Sequence, residues 1–361
     1  MLQEIHEQPQ TLARDLEKYL APVALAETGL DDAALRSIRK MSIVASGSSR
    51  FAGLAGEFML ERLAQLPVKV DYASQYCYRA PLTSADELVV LPTQSGTTAD
   101  TLHAARVARA QGARTLAICN VPGAPITRET DGVLYTHAGE EVAVAATKSF
   151  TAQLLALFAL AFRSAEARSV ISSGQAAGLR KAARGLPEQA AIALKNDPVA
   201  KQLAARFKDA SSFMLLGRDV SFPIALEAAL KMKETAYIAA EAFPTGEVKH
   251  GPTALIDDAL PLLMVLTREP GDAASEERYR RSLGILQDLA KQSAKIVVLT
   301  NDDPREFEKA GHAVLTVPQT HHLLSPILEI IPLQLLAYHL AVARGVNVDT
   351  PRHLSKSVLT E

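Results

Sequence analysis

The chain has 361 residues, 48% of them hydrophobic and 22% charged, enough for two globular domains with separate cores and too apolar for a disordered chain. A formal net charge of -2, with lysines and arginines scattered among acids, gives no electrostatic pull towards nucleic acid or a membrane surface. Two cysteines, Cys77 and Cys119, cannot frame a disulfide scaffold, and the opening Met1 to Glu7 lacks the basic-then-apolar pattern of a secretion signal, so the expected compartment is the cytoplasm.

Residues 1–40 read as an amphipathic helical arm, with Leu12, Leu16, Leu20 and Val23 spaced by three or four. A first strand, Ser42 to Ala45, runs into Ser46-Gly47-Ser48-Ser49-Arg50. A second apolar run, Leu88 to Leu91, ends in Pro92-Thr93-Gln94-Ser95-Gly96-Thr97-Thr98 and is followed by an amphipathic helix from Ala99 to Gln111. Both exits place hydroxyls and a glycine at a helix start. There, free backbone N–H groups carry partial positive charge and can hold an anion. The second exit has neither the glycine spacing nor the terminal Lys-Ser/Thr of a nucleotide P-loop, which favours a compact monophosphate such as a sugar phosphate. By spacing alone, Thr97 or Thr98 serves equally well as an ordinary helix N-cap. Further strands are expected at Thr115 to Ile118 and Val133 to Thr136. The run Leu154 to Phe162, read as the most apolar in the chain, suits a buried helix and is too short to cross a bilayer.

The second half repeats this plan. Strands at Phe213 to Leu216, Leu262 to Leu266, Ile296 to Leu299 and Val314 to Val317 follow the same order, and Asn120 and Asn301 lie 181 residues apart, as do the Gln-Leu-Leu-Ala runs at Gln153 and Gln334. Short apolar strands alternating with helices imply parallel sheets covered on both faces, with ligands at the carboxyl ends of the strands. The expected organisation is an arm 1–40, a first domain 41–185, a second domain 186–348 and a tail 349–361, with the junction inside the helical stretch Ser164 to Lys208. The duplicate of the first loop, Gly217-Arg218-Asp219-Val220-Ser221, has lost hydroxyls and gained an acid, which assigns the anion site to the first half.

The second half carries different chemistry. On the helix beginning at Pro223, Glu227, Lys231 and Glu234 share one face; taken alone, that spacing favours a surface ladder of salt bridges. A turn-rich loop, Glu241 to Pro252, presents His250 beside Lys249 and Gly251, suited to acid–base work or simply to solvent. The tail Asp349 to Val358 holds Arg352, Ser355 and Lys356; it frays, or it folds over a pocket and excludes water around a lysine that attacks a carbonyl.

Taken together, Gly47-Ser48-Ser49, Gln94-Ser95-Gly96 with Thr98, Ala145-Ala146-Thr147-Lys148, Ala229-Leu230-Lys231-Met232-Lys233-Glu234 and Glu247-Val248-Lys249-His250-Gly251-Pro252 resemble the sugar isomerase (SIS) family. Within it, the chain looks like the isomerase half of the glucosamine-6-phosphate synthases, without the glutaminase half, and is closer still to stand-alone SIS-type glucosamine-6-phosphate deaminases. The resemblance implies an α/β chain of two tandem SIS domains, each a five-stranded parallel sheet, doubly wound and flavodoxin-like. It also implies a homodimer whose sites borrow His250 from the neighbouring subunit. Ser49, Thr93, Gln94, Ser95 and Thr98 would hold the phosphate and nearby sugar hydroxyls, with Ala146 offering its backbone and Ser355 the tail's contact. Glu234 would move a proton between C1 and C2, His250 would open the sugar ring, and Lys356 would reach the C2 carbonyl. Lys231 and Arg352 would position Glu234 and the tail.

The departures from the synthases are Thr93 for a serine, Thr97 for a glutamate and Ala146 for a serine, and the start at Met1-Leu2 gives the expectation that the glutaminase domain is missing. With the resemblance to stand-alone SIS deaminases, the leading expectation is hydrolysis of glucosamine 6-phosphate to fructose 6-phosphate and ammonia. The alternatives are an ammonia- or partner-dependent synthase isomerase, a galactosamine-6-phosphate or fructosamine-phosphate deaminase, and a sugar-phosphate sensor without catalysis. No cofactor, nucleic-acid or membrane partner is expected. No metal site is expected either, because the histidines lack paired ligand spacing and His321-His322 reads as a solvated loop.

Overall fold

The computed structural model describes residues 1–361 except 22–24, 26–27, 293–294 and 360–361. Strands β1 (Lys40–Ala45), β2 (Val68–Tyr72), β3 (Glu87–Thr93), β4 (Arg114–Cys119) and β5 (Gly132–Tyr135) form one parallel sheet in the order β2-β1-β3-β4-β5. A second parallel sheet, built from β6 (Ser212–Gly217), β7 (Ala239–Pro244), β8 (Leu262–Leu266), β9 (Ile296–Thr300) and β10 (Ala313–Thr316), runs β10-β9-β8-β6-β7. Each sheet has the flavodoxin-like order. The chain steps out to an edge strand and then back across, so its direction of winding reverses between β1 and β3 and again between β6 and β8.

The eight strands expected from apolar runs are all present, with ends shifted by up to two residues. The two that the pattern misses, β2 and β7, are edge strands. An edge strand is covered less completely, so it has no need of a continuous apolar run. In β2 only Asp71 is buried, and in β7 only Ala240. Glu241 to Pro244, expected as loop, therefore belongs to a strand.

Both sheets are covered by helices whose small or apolar faces meet the strands. In the first, Val44, Val89, Leu91 and Ala117 pack with Ala104, Ala105 and Ala108 of the helix Ala99–Ala110. In the second, Met214, Leu216, Leu262 and Met264 pack with Leu286 and Leu289 of Ala273–Leu289. The two Gln-Leu-Leu-Ala runs lie on the nearly fully buried helices Lys148–Ala167 and Ser325–Ala343. Among the described residues it is the latter, rather than the run at Leu154, that is long and apolar enough to match a membrane span, and 83% of its apolar window is buried inside the protein.

The chain divides into two compact units, and these cut across the expected boundaries. The first unit comprises residues 10–141, 148–184 and 355–361; the second comprises 1–9, 142–147 and 185–354. The arm thus splits after Pro9, where the helices Leu2–His6 and Gln8–Tyr19 fall on either side, and the tail splits between Leu354 and Ser355. In the first unit Leu12 and Leu16 are buried; Val23 lies outside the described residues. In the second unit Gln8 Nε2 donates to Gln334 Oε1 at 2.9 Å, and Gln334 Nε2 donates to the carbonyl of Thr147 at 3.2 Å, which ties the 142–147 segment to its helical core.

Candidate functional site

In the first unit the strand register sets Ile43 of β1 beside Val90 of β3, so the two hydroxyl-rich exits emerge side by side at the winding reversal. The first exit starts the helix Gly47–Ala64, with Ser46 extended at the cap position and Ser49 in the first turn. Arg50 lies over the Tyr72 ring at 3.7 Å.

The second exit is fixed by its own hydrogen bonds. The Gly96 amide donates to Thr93 Oγ1 at 3.1 Å, the Thr97 hydroxyl donates to Ser95 Oγ at 2.9 Å, and the Asn120 amide donates to the Gln94 carbonyl at 3.3 Å. Gly96 has φ +68°, and a β-carbon there would stand 2.6 Å from Ala124 Cβ, so both the backbone conformation and the space require glycine. Thr98 takes the N-cap position of Ala99–Ala110 without spending its side-chain oxygen on the cap. An oxyanion placed here can meet hydroxyls and first-turn amides together.

The tail segment of this unit reaches the same helix start, because the Ala99 amide donates to the Val358 carbonyl at 3.1 Å. Two residues earlier, Lys356 Nζ donates to Glu141 Oε2 at 2.8 Å. Glu141 is buried, and it also accepts from the Ser149 amide and hydroxyl at 3.1 and 2.7 Å. The tail strap therefore meets the helix start that follows the Gln94 loop and the buried Glu141, while the Ser355 hydroxyl donates within the strap to the Ser357 carbonyl at 3.0 Å. Sequence reading missed Glu141, since nothing in local spacing marks a carboxylate 215 residues from its lysine.

In the second unit the helix Phe222–Ala236 carries Glu227, Lys231 and Glu234. The surface-ladder reading fails here, because Lys231 and Glu227 have fully buried side chains, and Glu234 is the partly open member at 22% exposure. Lys231 Nζ lies 3.2 Å from Glu227 Oε1 and 2.6 Å from Glu234 Oε2. Burial works against the lysine's charge, but the two carboxylates and their hydrogen bonds outweigh it and hold the ammonium well above the usual lysine range. The arrangement keeps one carboxylate oriented at the protein's edge by a permanent cation, the geometry a proton shuttle requires.

That helix ends at Tyr237, left-handed at φ +54°. The Tyr237 hydroxyl accepts from the Arg352 amide at 2.7 Å, and the Arg352 guanidinium lies over the ring at 4.1 Å. Arg352 is thus tied to the end of the Glu234 helix. His250 is exposed on the turn Glu247–His250, beside the Lys249–Asp288 ion pair at 2.6 Å. Ala146 is half-buried in the 142–147 segment.

The strand exits of the second unit show why they make a poor anion site. Thr267 and Ser221 donate their hydroxyls to the fully buried Glu329 at 2.6 and 3.1 Å, and Arg278 is taken up by Asp219 at 3.2 Å and by the Thr267 carbonyl. Burial pushes the Glu329 carboxyl above its ordinary range, against those donors.

The chain belongs to the SIS domain family, whose model matches residues 34–163 and 206–344. It is 41% identical over its whole length to a glutamine–fructose-6-phosphate aminotransferase (isomerizing) of Chlorobaculum tepidum, and 40% identical to that of Thermus thermophilus. It spans only 58% and 59% of those relatives' lengths. Among solved structures, the C-terminal domain of the glucosamine-fructose-6-phosphate aminotransferase of Francisella tularensis superposes with a TM-score of 0.89 at 34% identity, covering 97% of each chain. A glucosamine-6-phosphate deaminase of Thermotoga maritima gives 0.72 at 25% identity, covering 99% of this chain and 98% of its own. The coarse class is therefore the SIS fold of two tandem domains, and the relatives reported are named as aminotransferases at higher identity than the deaminase.

Proposed function

We propose that this chain performs the isomerising step of an amino-sugar-phosphate enzyme: fructose 6-phosphate and ammonia give glucosamine 6-phosphate and water. The buried Glu227–Lys231–Glu234 line carries the reading, because a carboxylate fixed by a permanently charged lysine has a use in moving a proton and none in merely holding a ligand. Ser49, Thr93, Gln94, Ser95 and Thr98 hold the phosphate and neighbouring hydroxyls, with the Ala146 backbone and Ser355 completing the contacts. His250 opens the furanose ring from the partner subunit of a homodimer. Nitrogen condenses at C2 with loss of water, and Lys356, held by Glu141, assists at that carbon. Glu234 then takes a proton from C1 and returns it to C2, leaving the C1 aldehyde of the amino sugar. The same groups run the reaction in reverse, and the T. maritima likeness supports deamination as the second reading. Lys231 and Arg352 position Glu234 and the tail, and the reaction is placed in the cytoplasm.

The test is to supply the protein with fructose 6-phosphate and ammonium and measure glucosamine 6-phosphate, and separately to supply glucosamine 6-phosphate and measure ammonia. A Glu234→Gln control is expected to lose roughly two to four orders of magnitude in kcat. Product in the first arm supports the synthase direction, and ammonia release alone supports the deaminase. Binding seen by thermal shift, with no turnover above the control in either arm, would leave a sensor and overturn catalysis. Galactosamine 6-phosphate and fructosamine phosphates in the same assay fix the sugar preference.

A further inference from the structure

We propose that Glu269, His321 and His322, in the second unit, form a binding site for a divalent transition-metal ion of the zinc class. Glu269 follows β8 and the histidines follow β10, so the fold brings them together at the carboxyl ends of the second sheet, and none of the three is among the groups assigned to sugar chemistry. The pair expected to be a solvated loop is half-buried, with 11% of the His322 side chain exposed.

One donor atom from each of the three residues lies within 4.8 Å of the others. His322 Nδ1 stands 2.8 Å from Glu269 Oε2, and the two imidazoles are stacked with centroids 4.7 Å apart. Bonds of about 2.0–2.1 Å to a tetrahedral ion set ligand edges at roughly 3.3 Å. A cation replacing the proton between Nδ1 and Oε2 therefore spreads that pair by about half an ångström. The third donor is a ring nitrogen of His321, and water completes the set. Imidazole and carboxylate donors suit zinc, cobalt(II) or nickel(II) rather than calcium or magnesium.

The cluster is also held in place. The Glu269 amide donates to Ser275 Oγ at 2.8 Å, and Asn301 brackets the preceding residue, accepting from the Arg268 amide at 3.0 Å and donating to its carbonyl at 2.7 Å. The Leu324 and Ser325 amides both donate to the His321 carbonyl, fixing that turn. The Arg268 guanidinium is drawn off by Asp302 at 2.8 Å and so does not compete for Glu269.

The experiment is equilibrium dialysis of the whole chain against zinc chloride alone, with bound metal counted per chain, for the wild type and for Glu269→Gln, His321→Gln and His322→Gln. Cobalt(II) absorption and the shift in melting temperature provide independent readouts. The expected result is one ion per chain and at least about tenfold weaker binding in the variants that retain the wild-type circular dichroism spectrum. His312→Gln, outside the cluster, should bind as the wild type does. Zinc retained equally by all three cluster variants, or no zinc retained by the wild type, would overturn the proposal.

Discussion

Replacing Lys231 by methionine removes the charge that pairs with both Glu227 and Glu234 while preserving most of the side-chain volume. Glu227 is fully buried, so its carboxylate either stays charged in an apolar setting or takes up a proton; removing one partner of such a pair costs about 3–5 kcal/mol. For a unit of this size each kcal/mol moves the melting temperature by about 2–4 °C, so Lys231→Met should melt roughly 6–20 °C lower by circular dichroism. On the proposed reading, in which other residues hold the substrate's phosphate, its kcat should fall with little change in KM. The double variant Glu227→Gln/Lys231→Met separates stability from chemistry: with neither member of the fully buried pair charged, it should regain most of the lost stability but not the turnover. A Lys231→Met protein that melts within about 1 kcal/mol of the wild type, or a double variant as active as the wild type, would refute this account of the buried lysine.

Other consequences can be measured directly. Burial pushes the Asp15 carboxyl up to about 7, against the hydrogen bond donated by the His137 amide and the charge of Arg14. Since the folded form holds its proton more tightly than the unfolded form, Asp15 costs stability as pH rises from about 4 to 7, by an amount on the order of 4 kcal/mol. Asp15→Asn should therefore gain stability relative to the wild type at pH 8 and not at pH 4; urea titrations at both values show whether it does. In Gly96→Ala the new methyl meets Ala124 and the backbone must leave its left-handed turn, so inorganic phosphate or sugar phosphate should bind at least about tenfold more weakly in calorimetry. If His250 is shared across a dimer, mixing Glu234→Gln with His250→Asn protein restores about one quarter of wild-type activity through the single intact site of each mixed dimer. No recovery after co-refolding would place both groups in one subunit.

The legible parts of this protein are those governed by local pattern. Central parallel strands, covered on both faces, must be runs such as Leu88 to Leu91, and hydroxyl–glycine exits must follow them, so the repeat, the fold class and the anion-type loops could all be read directly. Edge strands β2 and β7 escaped because partial cover removes the need for an apolar run. The spacing of Glu227, Lys231 and Glu234 showed that they share a helix face but not whether that face meets water. Only packing of the helix Phe222–Ala236 decided that the face is interior, turning a ladder worth tenths of a kcal/mol into a buried ion line. Glu141 beside Lys356, Tyr237 beneath Arg352 and Glu269 beside His322 are pairs separated by 53 to 215 residues. Periodicity carries information only across a turn of helix or a few residues of strand, so partners brought together by loop closure leave no mark in the sequence, and the tertiary fold alone assigns them.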